Sequence, residues 1–578
     1  MSTGAILFLI PARGGSKRVP GKNLRTVAGI PLVGAATRLG RRVANSLPGG
    51  GHAVVCSTDD AGIATTARDW GAEVLDRPAE LATDTATSVD VALHAIAALA
   101  ARGRAVESIV LLQPTSPLTD PADVRAAIER HRATGAPVVA VTAATPASWR
   151  FGLGADGILG EPGEAGADAA VQLCGAFYVI GTDELASTRR FVTVGRTLGQ
   201  LVPASRAVDV DVEDDITTAE ALAAIRPNRS VEIDGHGLGG GGAFVIAEGG
   251  VNHNGEVELA RRLVDAAADA GADAVKFQTF DPVALAAAGA PQAAYQAERG
   301  PAADQRQMLE ALTLPRAAWP ELQARARARG LVFLSTPFDD GSADLLDELG
   351  VPAFKVGSGE LTNLGFLARL AARGRPMLVS TGMGSMLEVA DAVDTIAGAG
   401  NPPLALLQCV SAYPSEVEDS NLRAIDTMRR AFGVPVGWSD HSTGIEAAMT
   451  AVALGAAIVE KHLTLSRDLP GPDQAASLEP AAFQAMVGAI RRVEASLGTG
   501  VKAPAAAELP IAAVARRSLH WARSREAGER ITADDFAVLR PGTGMAPSHA
   551  AGLVGSRLAR AVEAGAAVEA ADIADGAP

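Results

Sequence analysis

The sequence predicts an α/β protein in three parts: a doubly wound sheet, an eightfold β/α barrel, and a small mixed domain. Three observations predict it. Short β-type apolar runs alternate with Ala-rich helical stretches along most of the chain. A glycine-rich lapse interrupts that alternation once, and beyond it the strand-like runs count to eight. At 578 residues, 48% apolar and 20% charged, the chain is long enough for several cores and has a globular composition.

The first cycle occupies residues 1–225. AILFLIPAR, HAVVCSTDD, EVLDRP, SIVLLQPTSP and PVVAVTAA read as strands with helices between them, closing with a strand at VDVDVEDD and the helix ITTAEALAAI. In residues 226–242, RPNRSVEIDGHGLGGGG, apolar periodicity lapses and glycines cluster, so the stretch reads as a linker. Residues 243–500 hold FVIAE, AVKFQTF, LVFLSTPF, AFKVGSG, MLVSTGM, LALLQCVS, VPVGWSDH and AIVEKHLT, each separated by a helical pattern. Eight such units in about 260 residues are what a TIM barrel requires. Residues 508–578 show short strand-like runs and Gly turns, a small mixed domain.

Charge narrows the ligands. The 51 basic and 66 acidic residues leave −15, which argues against a general nucleic-acid or anionic-membrane binder. Yet the first 58 residues hold eight Arg and Lys and no Asp or Glu. That local positive field is read as a cradle for one anionic ligand. Cys56, Cys174 and Cys409 are too few and too scattered for a disulfide framework or a metal cluster, so a reducing, cytoplasmic setting is expected. The opening apolar run reads as a buried strand rather than a signal peptide, and no run reaches the length of a membrane span.

Directly after the first strand comes PARGGSKRVPGKN. Gly14 and Gly15 let backbone N–H groups approach phosphates, and Arg13, Lys17, Arg18 and Lys22 supply positive charge. The spacing is neither a P-loop nor a dinucleotide fingerprint. In a strand at VDVDVEDD, Asp209 and Asp211 would project from one face. Two adjacent carboxylates beside phosphates suit Mg²⁺; a solvated acidic edge strand is the alternative.

IPARGGSKRVPGKN, RPAELATDTATS, LLQPTSP and DVDVE, in that order, resemble bacterial CMP-sialic acid synthetases (acylneuraminate cytidylyltransferases). The resemblance implies transfer of CMP from CTP to an acidic nine-carbon sugar, with release of pyrophosphate. It places Arg13, Gly14, Ser16, Lys17 and Lys22 in a triphosphate loop, Lys17 and Lys22 as catalytic cations. It places Asn23, Arg77, Ala86, Ser88 and Gln113 around the cytidine, and Asp209 and Asp211 on Mg²⁺. The family's stretch before its Gly-Ala-Ile-Tyr strand differs here, where Leu173 to Tyr178 reads LCGAFY.

In the barrel, polar residues gather at the C-terminal ends of the strands, where such folds place their chemistry. Lys276 and Gln278 end the second strand and Thr336 the third. Lys355, Ser358 and Glu360 follow the fourth, and Ser380 ends the fifth. Two lysines and several hydroxyls at one mouth suit a small phosphorylated or carboxylated ligand. His441 and His462 end the seventh and eighth strands and are close enough to share a metal; two satisfied structural histidines are the alternative.

The ordered set AEGGVNHNG, AVKFQTF, STPFD, KVGSGELTN, STGM, YP, SDH, EKHLTL and PGPD is similar to the sialic acid synthase family. The tail with LRPGTGMAP resembles that family's C-terminal antifreeze-like (SAF) domain. The likeness implies condensation of phosphoenolpyruvate with an N-acylmannosamine-type sugar, giving a nonulosonic acid and phosphate. It implies that Lys276, Thr336, Lys355, Ser358 and Ser380 grip phosphoenolpyruvate, with Lys276, Lys355 and Glu360 catalytic. Gln278, Glu360, Tyr413 and Asp473 would surround the sugar, and His441 and His462 would bind Mn²⁺ or another divalent metal. Arg540 would reach the sugar in a partner's barrel, which implies a domain-swapped homodimer. Asn254 and Ser411 depart from residues that some synthases carry near the sugar.

The expectation is therefore a bifunctional enzyme that makes a sialic-type acid and couples it to CMP, with N-acetylneuraminate as the first choice of product. Legionaminate, and less readily pseudaminate, are alternatives, since VNHNG fits neuraminate or legionaminate synthases better. A sensor with one inactive half, and an aldolase for an eight-carbon acid, are the readings from other classes.

Overall fold

A computed structural model describes residues 4–574, apart from 84, 145–150, 154–155, 161–168, 226–228, 294–295, 297–301 and 303. The chain forms two compact units, Met1–Ser496 and Leu497–Pro578.

The first unit opens with a sheet whose central path runs Leu198–Leu201, Val138–Ala143, Ala169–Gly181, Ser108–Leu112, Ile6–Pro11, Ala53–Thr58, Glu73–Asp76. Its pairings are parallel except those of Ala169–Gly181, which runs antiparallel to both neighbours. The buried central strand ILFLIP explains the parallel arrangement: it carries apolar side chains to both faces, and both are covered. The antiparallel strand went unread in the sequence. Its register shifts between Leu173 and Tyr178, so the apolar alternation is broken where LCGAFY lies. VDVDVEDD is not a strand. Residues 207–211 make no ladder, and the segment is held instead by Val210 N–H donating to the Thr115 carbonyl at 2.7 Å.

All eight apolar runs of the second cycle form strands, from Phe244–Gly250 to Ile458–His462, and they close into a parallel barrel. The span read as a linker carries structure. Val231–Ile233 and His236–Leu238 pair as a hairpin, and Val231, Ile233 and Leu238 are buried in one cluster with Phe244, Ile246, Leu334, Leu378, Leu407 and Ile458. The hairpin thereby closes the barrel's floor.

The sheet and the barrel are docked through helices. Leu32–Ser46 lies against Met386–Gly398. Arg38 donates to both oxygens of Asp394 at 2.9 and 2.7 Å, and Arg41 to Asp391 at 2.9 Å. Arg42 lies 3.4 Å from Asp394. Ile30, Trp70 and Ala390 form an apolar cluster beside these pairs. The positive opening is therefore divided, which corrects its reading as one cradle. Arg38, Arg41 and Arg42 answer barrel carboxylates, and Arg25 pairs with Glu213. Arg13, Lys17, Arg18 and Lys22 remain at the nucleotide pocket.

In the second unit, Ser518–Trp521 pairs antiparallel with Phe536–Leu539 around a core of Leu519, Trp521, Ile531, Leu558 and Val568. Among the described residues no helix is long and apolar enough to cross a membrane.

Candidate active sites

The first site is a cavity of about 440 Å³ at the end of Ile6–Pro11. Arg13, Ser16, Lys17, Lys22, Asn23, Gln113 and Asp211 line it, joined by Arg18 and Thr115. Lys22 Nζ donates to the Val210 carbonyl at 2.8 Å and to Asp211 Oδ1 at 3.1 Å, tying the loop to the acidic segment. Asn23 Nδ2 donates to the Arg13 carbonyl at 2.9 Å, fixing the loop from inside. Asp209 lies beside Gly175, where an added Cβ would stand 3.3 Å from its Oδ2 and where φ is +76°. The positive φ favours glycine at the bulge, and a side chain there would press on the Asp209 carboxylate. Burial pushes the Asp209 carboxyl up, and Asp211 adds to this, while Thr115 and Lys22 oppose it. Two carboxylates whose mutual repulsion is felt beside a cationic loop fit a hard divalent cation.

Other expected residues lie outside this cavity's lining. Gly14 N–H donates to Asp59 Oδ1 at 3.0 Å. Arg77 is buried, donating to the Ser57 carbonyl at 2.6 Å and to Ser57 Oγ at 3.3 Å, so it pins the end of Ala53–Thr58. Ser88 is the exposed first residue of helix Ser88–Ala101, and half-buried Ala86 precedes its cap. Thr115 was missed, although it stands in the LLQPTSP motif.

The second site is the barrel mouth, a cavity of about 550 Å³. Lys276, Gln278, Thr336, Lys355, Ser358, Glu360, Ser380, Tyr413, His441, His462 and Asp473 all line it, gathered from seven strand ends and the PGPD loop. Lys276 Nζ donates to Thr336 Oγ1 at 3.1 Å, and Lys355 Nζ to Ser380 Oγ at 2.7 Å. Ser358 Oγ accepts from Gly382 N–H at 3.0 Å. A Cβ at Gly382 would stand 2.7 Å from that oxygen, so only glycine permits the approach.

Two carboxylates escaped the sequence reading. Glu248 ion-pairs with Lys276, and Glu460 lies 3.7 Å from Lys276 and 3.4 Å from Lys355. Ser439 Oγ donates to Glu460 Oε1 at 2.9 Å. Burial pushes the Glu248 carboxyl up to about 7, against the pull of Lys276 and with the push of Glu460. Burial acts on Glu460 too, but Lys276 and Lys355 outweigh it and hold that carboxyl low. The signal was available: FVIAEGG and AIVEKH each place an acid inside an apolar strand.

The His441 and His462 rings lie 5.3 Å apart, with Tyr413 4.1 Å from the first. His441 Nδ1 faces the Val410 carbonyl at 2.7 Å and so carries the proton, leaving Nε2 as a lone pair. Burial drives His462 well below its usual value, and its Nδ1 is buried without a hydrogen-bond partner. Burial opposes charge on His441 as well, but Cys409, the Val410 carbonyl and Glu460 outweigh it and raise that imidazole. His462, kept neutral by burial and with an orphaned nitrogen beside the His441 ring, fits a divalent-metal ligand. Among the described residues no three His, Cys, Asp or Glu side chains cluster as ligands, so bound substrate or water would complete either site. Burial raises Asp473 to about 6, with His441 and Lys276 opposing. Arg540 is exposed on the second unit. Asn254 Nδ2 donates to the Pro470 carbonyl at 2.8 Å, and Ser411 lines the mouth.

Three known families match successive parts of this chain. Residues 7–148 match the cytidylyltransferase family, 263–502 the NeuB family and 516–574 the SAF domain. N,N'-diacetyllegionaminic acid synthase of Legionella pneumophila is 44% identical over 327 residues, 56% of this chain and 92% of the relative. The chain belongs to the NeuB family. The Campylobacter jejuni protein of the same name is 39% identical over 52% of this chain and 91% of its own length. N-acetylneuraminate-9-phosphate synthase of Mus musculus is 38% identical over 45% and 72%. This NeuB-family chain is a fusion, with a cytidylyltransferase segment before the synthase barrel and an SAF domain after it.

Proposed function

We propose that the barrel condenses phosphoenolpyruvate with an N-acylated aminosugar and that the N-terminal domain couples the resulting acid to CMP. One observation carries the reading: the lysines, hydroxyls, carboxylates and imidazoles expected from sequence converge on one mouth. Lys276 with Thr336 and Lys355 with Ser380 form two cation–hydroxyl pairs, matched to a ligand bearing both phosphate and carboxylate. Glu248, its carboxyl raised into the neutral range, holds a proton beside Lys276. Gln278, Glu360, Tyr413 and Asp473 line the remaining wall and orient the sugar. A divalent metal held by His441 and His462 would supply Lewis acidity at the aldehyde oxygen.

At the nucleotide site, Arg13, Lys17, Arg18 and Lys22 hold the triphosphate and stabilise the charge on departing pyrophosphate. Mg²⁺ held by Asp209 and Asp211 would supply charge neutralisation at the phosphates. The two sites have separate cavities, which supports two activities that run independently.

N-acetylneuraminate is the first expectation for the product. The relatives named for N,N'-diacetyllegionaminic acid, at 44% and 39% identity, favour a 2,4-diacetamido-6-deoxy sugar instead. We adopt that substrate class. In the same reading, exposed Arg540 serves the barrel of a second copy in a swapped homodimer.

The test is incubation with phosphoenolpyruvate, CTP, Mg²⁺ and Mn²⁺, offering N-acetylmannosamine and the 2,4-diacetamido-6-deoxy sugar separately, with product masses read. The diacetamido sugar is expected to give both the free acid and its CMP conjugate. Release of neither phosphate nor pyrophosphate with either sugar overturns the reading.

A further inference from the structure

Between the sheet and the barrel lies a third cavity, of about 570 Å³, walled by both. Its volume falls within the roughly 300–1,000 Å³ usual for small-molecule sites. It is separate from both active sites: none of the residues lining it lines either of them. Leu39, Leu118, Leu222, Phe432 and Val434 make part of the wall apolar.

The rest is cationic. Arg38, Arg42, Arg206, Arg229 and Arg430 line the cavity, against Asp120 as its lining carboxylate. Arg38 takes both oxygens of Asp394, so Arg42, 3.4 Å from the same carboxylate, shares an acid already engaged. Arg229 donates to the Asn401 amide oxygen at 2.5 Å, a neutral partner. Arg206 pairs with Asp123 and lies 4.0 Å from Asp120, and Arg430 pairs with Asp426 and lies 3.6 Å from Glu220, yet the Nε of each is buried without a hydrogen-bond partner. Burial depresses Arg42, with Arg38 and Arg229 adding to this against Asp394 and Asp120. Arg42 thus shares its acid, and exposed Arg229 has a neutral hydrogen-bond partner, so these two guanidinium groups are the ones placed to take an added anion, and planar guanidinium groups suit phosphate oxygens.

We propose that this interdomain cavity binds an organic phosphate, its phosphate on Arg42 and Arg229 and its ring or carbon body on the apolar wall. Since the walls belong to both catalytic halves, the ligand strengthens their docking and acts as an effector rather than a substrate. Inorganic phosphate shares the charge chemistry but not the apolar contact, so it binds more weakly.

The probes are CMP and inorganic phosphate, titrated calorimetrically into the full chain. CMP is expected to occupy one more site on the wild type than on the Arg42→Ser/Arg229→Ser double variant. Ala397→Phe, which fills the cavity while keeping every arginine, is expected to lose the same site. Both variants should keep wild-type synthase turnover, which also shows that they fold. Inorganic phosphate should bind that site at least tenfold more weakly. Equal CMP stoichiometry in all three proteins overturns the proposal, as does inorganic phosphate binding there as tightly as CMP.

Discussion

Lys22 joins two parts of the chain 189 positions apart: its ammonium contacts Asp211 at 3.1 Å while also holding the Val210 carbonyl. The loop that would grip the triphosphate and the segment that would grip the metal are therefore one device. Asp211→Ala should abolish CMP-sugar formation, by at least a hundredfold, and leave phosphate release from the barrel intact. His441→Ala should do the reverse. Assaying phosphate and pyrophosphate in parallel checks both, and loss of both activities in each variant would contradict separate sites.

Glu248 gives the barrel a pH signature. Its carboxyl titrates near 7 in the folded chain against 4.5 in an open one. Between those values the folded form holds the extra proton, so this residue's contribution to stability declines as pH rises from 4.5 to 7. Glu460 is shifted the other way, so its contribution is lost below 4.5 as pH falls. The windows do not overlap. Urea unfolding of Glu248→Gln should therefore show a flatter dependence than wild type between pH 4.5 and 7.

The Arg38–Asp394 pair should bind the two halves together measurably. It is bidentate and mostly buried. A double-mutant cycle with Arg38→Ala and Asp394→Ala should give a coupling of about 1–3 kcal/mol. Calorimetric melting of the double variant should separate a sheet transition from a barrel transition.

Asp535 anchors the C-terminal unit. Burial opposes its charge, but the Thr532 backbone and hydroxyl with Arg523 and Arg525 prevail, holding the carboxyl far below its usual range. The folded value is depressed, so its stabilisation is present above the unfolded value near 3.8 and is lost as pH falls below it. Asp535→Asn should lower that unit's melting temperature at pH 7, and the gap between wild type and variant should be clearly smaller at pH 2. Circular dichroism melts at the two pH values check this.

The barrel was legible because each of its strands is a bounded apolar run followed by a helical period. Its polar residues are legible for a related reason: Lys276, Lys355, His441 and His462 end runs that are otherwise apolar. Glu248 and Glu460 follow the same rule but were absorbed into their strands. The sheet was harder. Ala169–Gly181 hides behind its bulge, and Asp209 and Asp211 alternate as strand residues do without a neighbour to pair with. Arg38, Arg41 and Arg42 could not be sorted from the loop cations, because their aspartates lie some 350 positions away.

The hairpin beneath the barrel decides where this chain can be cut. Severed at Ala243, the synthase half would lose Val231, Ile233 and Leu238 from its floor, each worth about 1.5–3 kcal/mol of burial. Severed before Val231, it keeps them. The segment that connects the two enzymes is thus part of the second one's foundation, and a barrel released by itself must carry its doorstep with it.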